Sequence, residues 1–194
     1  MSVVVVTRPV AEPVTVESLR SHVRGSTEDN SLISSYGIAA REAVENETGR
    51  TLGATTYRLT RDKWPSGREL TLPRSPLRSS TSVAVTYRLS TGSTSTLSST
   101  AYVVDGDAEP PRLILKANQT WPENELLAGP SVRVQWDAGY AGSSTVPERA
   151  KQAIRFLAGH WYENRETVVT GTISSEVQRT VRDLLWSLKV PSVP

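Results

Sequence analysis

The side chains that could do chemistry are few: two histidines, His22 and His160, and no cysteine in 194 residues. Without thiols, disulfides, zinc–thiolate sites and thiol catalysis are excluded. His160 and Glu163 stand three apart, one helical turn. Carboxylate-bridged di-metal bundles use such a pair as Glu-x-x-His, twice, with two more Glu from facing helices. Here the order is reversed, the pair occurs once, and His22 lies in a different segment. The simpler reading packs His160, Trp161 and Tyr162 at a helix end and leaves Glu163, Asn164 and Arg165 to surface contacts. Asp105-Gly106-Asp107 with Glu109 could open a calcium loop, but the further acidic ligands are missing. A turn held by Asp side chains explains the run. No Gly-rich phosphate loop, Gly-x-Ser-x-Gly elbow or His-Glu-x-x-His occurs. The chain is therefore read as a non-enzyme, with no catalytic residue, no cofactor and no metal assigned. An enzyme using His160 or Glu163 is the alternative that loss of a reaction on mutation would favour.

Charge carries more information. Arg58, Arg61, Lys63, Arg68, Arg74, Arg78 and Arg88 fall between residues 55 and 90, where the acids are chiefly Asp62 and Glu69. Arg58, Arg61, Lys63 and Arg68 are candidates for facing DNA phosphates. Two other readings are preferred: charges on strand edges that block unwanted pairing, and complementarity to an acidic partner. No interleaved aromatics of a nucleic-acid-binding sheet support direct contact. The net charge of +2 is too small to imply a nucleic-acid binder. Of the five Trp, Trp136 and Trp161 read as core. Trp64 and Trp121 are each followed by Pro in loops. They are candidate subunit contacts, with packing beneath a loop the equal alternative.

The elements that must position these residues follow from periodicity. An extended arm covers residues 1–14, with Pro9 and Pro13 preventing helix. Val3 to Val6 is too short for a signal peptide or a membrane span, so cytosolic residence and no membrane contact are expected. Thr15 should cap a helix from Val16 to Arg24, stopped by Gly25. A second helix runs from Asn30 to Thr48, closed by Gly49. Gly37 within it is read as costing about 1 kcal/mol relative to Ala or as permitting close packing. From Thr55 the period becomes 2, and five to seven short antiparallel strands are expected up to residue 137, including Val83 to Leu89, Tyr102 to Asp105, Arg112 to Leu115 and Val132 to Trp136. Ser90 to Ser93 signals a hairpin, and the Ser/Thr tract 91–100 a solvated tip. A third helix spans 146–166, with Thr145 and Glu148 forming a capping box. A loop from Thr167 to Thr172 leads to a last helix, 174–189, capped by Ser174. The fold class is α+β: about four helices carrying an inserted antiparallel β region, one domain over 15–190 and a tail at 191–194.

Several of these stretches, in order, resemble the head–tail connector (adaptor) family of tailed bacteriophages. They are the opening helix from Val14, Thr48-Gly49-Arg50, Leu70-x-Leu72-Pro73-Arg74-x-Pro76-Leu77, Trp121-Pro122, Gly139-Tyr140, Val146-Pro147 and His160-Trp161-Tyr162-Glu163-Asn164-Arg165-Glu166. The chain departs from the family in its polar tract at 91–100 and in having Ser174-Ser175-Glu176-Val177 where Glu-Leu-Pro often precedes the last helix. The resemblance implies a virion structural protein of the neck, made in the host cytoplasm. It implies a homo-oligomeric ring, commonly dodecameric, that docks under the portal protein, extends the DNA channel and receives a tail or stopper protein. It also implies a C-terminal portal grip, for which Val177, Val181, Leu184, Leu185, Trp186, Leu188 and Val190 are candidates. Trp64, Trp121, Arg74 and Arg165 are the subunit-interface candidates. Truncation after Thr172 is expected to leave a folded subunit that no longer joins portal-bearing capsids. A sequence-independent DNA-binding protein and the adaptor of a gene-transfer particle remain the alternatives.

Overall fold

The first helix, α1 (Val16–Val23), begins where the Thr15 hydroxyl accepts the Ser18 N–H at 3.2 Å, satisfying a donor that has no partner inside the helix. The structure, a computed structural model, describes residues 1–164 and 175–191. The expected loop Thr167 to Thr172, the Ser174 cap and Arg165 lie outside them. α1 ends on Arg24, which itself takes the left-handed conformation at φ 51°. Gly25, expected as the stop, serves packing instead. A β-carbon there would lie 3.0 Å from Ile33 Cδ1 and 3.2 Å from the Tyr162 hydroxyl. α2 (Asn30–Thr48) ends on Gly49 at φ 71°, a conformation glycine adopts without steric cost. Gly37 lets α1 approach, since a methyl at that position would meet Leu19 Cδ1 at 2.5 Å.

α3 (Glu148–Glu163) starts later than expected, and the capping box does not form. Thr145 closes the turn before it, bonding the Gly142 carbonyl at 2.8 Å. Glu148 turns instead to Lys151 and Arg155, both at 3.1 Å. α4 (Ser175–Trp186) completes the described helices. Leu19, Ile33, Val44, Ala153, Ile154, Val181 and Leu185, each the inward position of an amphipathic repeat, are buried together with Leu52 from the segment after α2. Phe156, Leu157 and Trp161 flank that core, partly buried.

One charged cluster is sunk into this unit. Arg41 donates through Nη1 to Glu45 at 2.6 Å and through Nε to Glu12 at 2.7 Å, with Glu42 at 3.5 Å. Glu45 also accepts the Leu52 N–H at 2.7 Å. Burial pushes the Glu45 carboxyl above its ordinary range, while Arg41 and the backbone amides of Leu52 and Gly53 pull it back. The cluster thereby ties the end of α2 to the strand of chain that leaves it.

The second unit is all β. Its five-stranded sheet has the order β1-β2-β8-β4-β5 and its three-stranded sheet the order β3-β7-β6. The strands are β1 (Ser2–Thr7), β2 (Thr55–Arg61), β3 (Glu69–Thr71), β4 (Ala84–Arg88), β5 (Thr94–Thr96), β6 (Tyr102–Asp105), β7 (Arg112–Leu115) and β8 (Val132–Ala138). Every pairing is antiparallel. Alternation sends Tyr57, Leu59, Val85, Val134 and Trp136 inward with Leu70, Leu113, Leu115 and Tyr102 of the other sheet. The Tyr102 hydroxyl donates to the Val83 carbonyl at 2.9 Å, pinning the edge of one sheet to the other. Of the expected N-terminal arm, Ser2–Thr7 is a strand: β1 pairs with β2 from Ser2 opposite Thr60 to Thr7 opposite Thr56, with a bulge between Val5 and Thr7. The hairpin at 90–93 forms, with Gly92 at φ 86° and Arg88 opposite Thr94. Leu97 breaks the polarity of the tract and is buried.

The chain thus divides into two compact units. Met1–Pro9, Ala54–Gly139 and Pro191–Pro194 make the β unit; Val10–Gly53 and Tyr140–Val190 make the helical one.

Candidate functional site

The residues with chemical potential are put to structural use. Asp105 accepts the Ala108 N–H at 3.1 Å and the Arg112 Nε–H at 3.1 Å. The Arg112 guanidinium, and then the Ala108 amide, hold the Asp105 carboxyl below its usual range. Arg112 also reaches Glu69 at 3.3 Å, so the would-be calcium loop is a turn braced across the three-stranded sheet. The two histidines, distant in sequence, line one cleft of about 410 Å³ with Phe156, Glu163 and Val177. The α1–α3 packing brings them there: Gly159 lies against the His22 ring, 3.4 Å from an added β-carbon. Spacing alone could not reveal this, because the partners sit on different helices. His160 Nδ1 lies 3.3 Å from the Asn164 amide. Among the described residues no three His, Asp or Glu side chains converge as a metal ion would require.

The tryptophans expected in loops are brought together. Trp64 and Trp121 stack at 5.0 Å, 10° from parallel, and Tyr87 meets Trp64 edge-on at 5.4 Å. Trp121 Nε1 donates to the Gly67 carbonyl at 2.7 Å. Both indoles are half-buried against the β core, so most of their surface serves the fold of one subunit. Arg74 takes a left-handed backbone at φ 79° in the same unit.

The basic candidates separate. Arg68 donates to the Leu115 and Lys116 carbonyls, which commits it to holding the end of β7. Arg58 lies on the outward face of β2, opposite Gln135. Arg133 and Arg88 share that face through the ladder, Arg133 opposite Thr60 and Thr86, and Arg88 opposite Thr94. The sequence reading missed Arg133 because it lies in β8, far along the chain. Lys63 is exposed and Arg61 half-buried.

In the C-terminal segment, Val181 and Leu185 are buried in the helical core, and Val177, Leu184 and Leu188 pack against it, partly buried. Val181 and Leu185 are thereby occupied within the subunit, while Val177, Leu184 and Leu188 keep part of their surface exposed. Beyond α4 the backbone is clamped: Arg50 Nε donates to the Leu188 carbonyl at 2.6 Å, Val190 N–H to the Thr48 carbonyl at 2.8 Å, and Lys189 meets Glu47 at 2.6 Å. Truncation after Thr172 would remove Val181 and Leu185 from the helical core, which argues against the expectation that a folded subunit remains. Trp186 points outward and is 73% exposed, which leaves it as the free aromatic of the seven candidates. Among the described residues no helix is long and apolar enough to cross a membrane.

Comparison with known proteins agrees with the resemblance read in the sequence. The model of the family described as "Phage gp6-like head-tail connector protein" matches residues 123–189, which span β8, α3 and α4. No curated protein matches the chain. Three similar solved structures each share 24% identity, covering all of this chain and 98% of the other. One is from the neck of an empty GTA particle computed with C6 symmetry, at TM-score 0.81. The second is from the virion of a native gene transfer agent particle and the third from the neck of a native GTA particle computed with C12 symmetry, both at 0.78.

Proposed function

We propose that the chain is a head–tail connector (adaptor) subunit of a tailed phage or a phage-like gene-transfer particle. It forms a ring at the neck, beneath the portal, that extends the DNA channel and receives the tail or stopper. The observation that carries this is the likeness of the whole chain, both units included, to neck structures solved with C6 and C12 symmetry. A dodecamer suits the twelvefold case. A subunit for such a ring needs two complementary sides and a closing heterologous interface, but no catalytic centre. The Arg41 cluster and the Arg112 brace, which stiffen each unit, suit a part that bears load and does not turn over substrate.

On this reading Trp186, exposed beside a backbone clamped to α2, is the anchor offered to the portal, since exposed Trp is enriched at interface hot spots. The outward sheet face with Arg58, Arg88 and Arg133 is the surface offered to channel DNA, in place of the Arg61, Lys63 and Arg68 grouping. Assembly starts from subunits in the host cytoplasm. The test is a pull-down on portal-bearing capsids with wild-type chain and Trp186→Ala. The variant should fold and fail to attach; undiminished attachment would overturn the portal assignment.

A further inference from the structure

Among the described residues of the β unit, the exposed large apolar side chains are Met1 and those of two strands. Val4, Val5 and Val6 are 40–50% exposed on β1, next to Met1, and Val103 is 51% exposed on β6. Both strands are sheet edges. β1 pairs only with β2, and β6 only with β7. An open edge presents a row of unpaired N–H and C=O groups, and proteins that must not associate protect it with charge, proline or a covering element. β1 lacks the first two: Ser2 to Thr7 carries no charged residue and no proline, and Arg8 and Pro9 beyond it end the strand. The remaining edges, β5 (Thr94-Ser95-Thr96) and β3, present no exposed large apolar side chain; β3 and β6 each carry one acid, Glu69 and Asp105, both engaged with Arg112.

We propose that β1 of one subunit adds to the β6 edge of a second copy of this chain, so that a continuous ladder passes from subunit to subunit. It rests on the ring reading above. The partner is a second copy because donor and acceptor edges lie on one chain and match in character, valine to valine. They are different edges, so the contact is heterologous: it repeats around a ring and does not stop at a twofold dimer. Main-chain bonds supply the attraction, and the alternate side chains before the bulge at Val5/Thr7, Val4 on one face and Val3 and Val5 on the other, supply the register.

The chain has no cysteine, so introduced thiols report unambiguously. Particles assembled with the Val4→Cys/Val103→Cys chain are treated with a short bis-maleimide, and cross-linked peptides are identified by mass spectrometry. The expected result is a ladder of multimers joined through residues 4 and 103, with no such ladder from either single variant. Dimers from Val4→Cys alone would mean a twofold contact and overturn the proposal. So would peptides joining residue 4 to another particle protein, or a double variant that stays monomeric although present in the particle. Absence of the chain from purified particles would instead sink the connector reading, and the untreated lane separates the two failures. As a second arm, Val4→Glu faces Arg58 within its own sheet, so the subunit keeps its fold by circular dichroism. Ring formation by the purified chain should weaken at least about tenfold; unchanged assembly would count against the shared ladder.

Discussion

Replacing Arg41 with Met removes one charge from a buried cluster and leaves the others. The Arg41 and Glu45 side chains are 6% and 8% exposed and 2.6 Å apart. Removing one partner of such a pair costs about 3–5 kcal/mol, because the survivor is buried without compensation. Glu45 keeps the Leu52 N–H, which places the loss toward the lower end, about 3 kcal/mol. For a chain of this size that is a fall of about 6–12 °C in Tm. The loss should depend on pH in a defined direction. Burial already raises the Glu45 pKa above its ordinary 4.5, and removing Arg41 raises it further. A carboxyl raised on folding adds stability that is fully present below 4.5 and is lost as pH rises through the folded value. Thermal unfolding followed by circular dichroism should therefore show a smaller deficit near pH 4.5 than at pH 8. Arg41→Met/Glu45→Gln, with neither charge but with an acceptor kept for the Leu52 N–H, should recover most of the loss. A deficit under about 1 kcal/mol, one equal at both pH values, or a double variant as weak as the single would refute the reasoning.

Leu185→Ala, at a fully buried position, should cost about 2–5 kcal/mol. Trp186→Ala next to it should change stability by less than about 0.5 kcal/mol, and denaturant titration of the pair checks this. Gly25→Val drives a side chain into Ile33 and Tyr162 and should cost about 1–3 kcal/mol, measured the same way. Asp105 and Glu148 are held below their ordinary 3.8 and 4.5, Asp105 chiefly by the Arg112 hydrogen bond and Glu148 chiefly by that from Arg155. Their contribution is present above those values and is lost as pH falls through the folded ones. Asp105→Asn should flatten part of the acid-side decline in Tm, and an unchanged slope would contradict the assignment.

The helices and strands were legible wherever one residue type settled the backbone or one period ran uninterrupted. The helix from about Asn30 to Thr48 follows from an apolar repeat and a terminal glycine that agree. Tyr102–Asp105 and Arg112–Leu115 follow their alternation. What local pattern could not show is which of two equivalent local options tertiary contact selects. Thr145 and Glu148 have capping-box spacing, but Lys151 and Arg155 compete for Glu148. Arg24 takes the left-handed position because Gly25 is needed, without a side chain, against Ile33. The apolar face of α4 was legible; that its valines and leucines face their own core was not, since an amphipathic stripe looks the same whichever surface covers it. The valine run at the N-terminus gave no partner for the same reason: strand pairing is non-local. Arg133 joins Arg58 on one face only once β8 is placed beside β2.

The most direct test of the connector assignment is a reconstruction of the particle neck by electron cryomicroscopy, with density assigned to this chain. The account predicts a closed ring of its copies between portal and tail, the β unit and the helical unit each fitting the density. Particles whose neck ring is built from a different protein, with this chain absent, would contradict it.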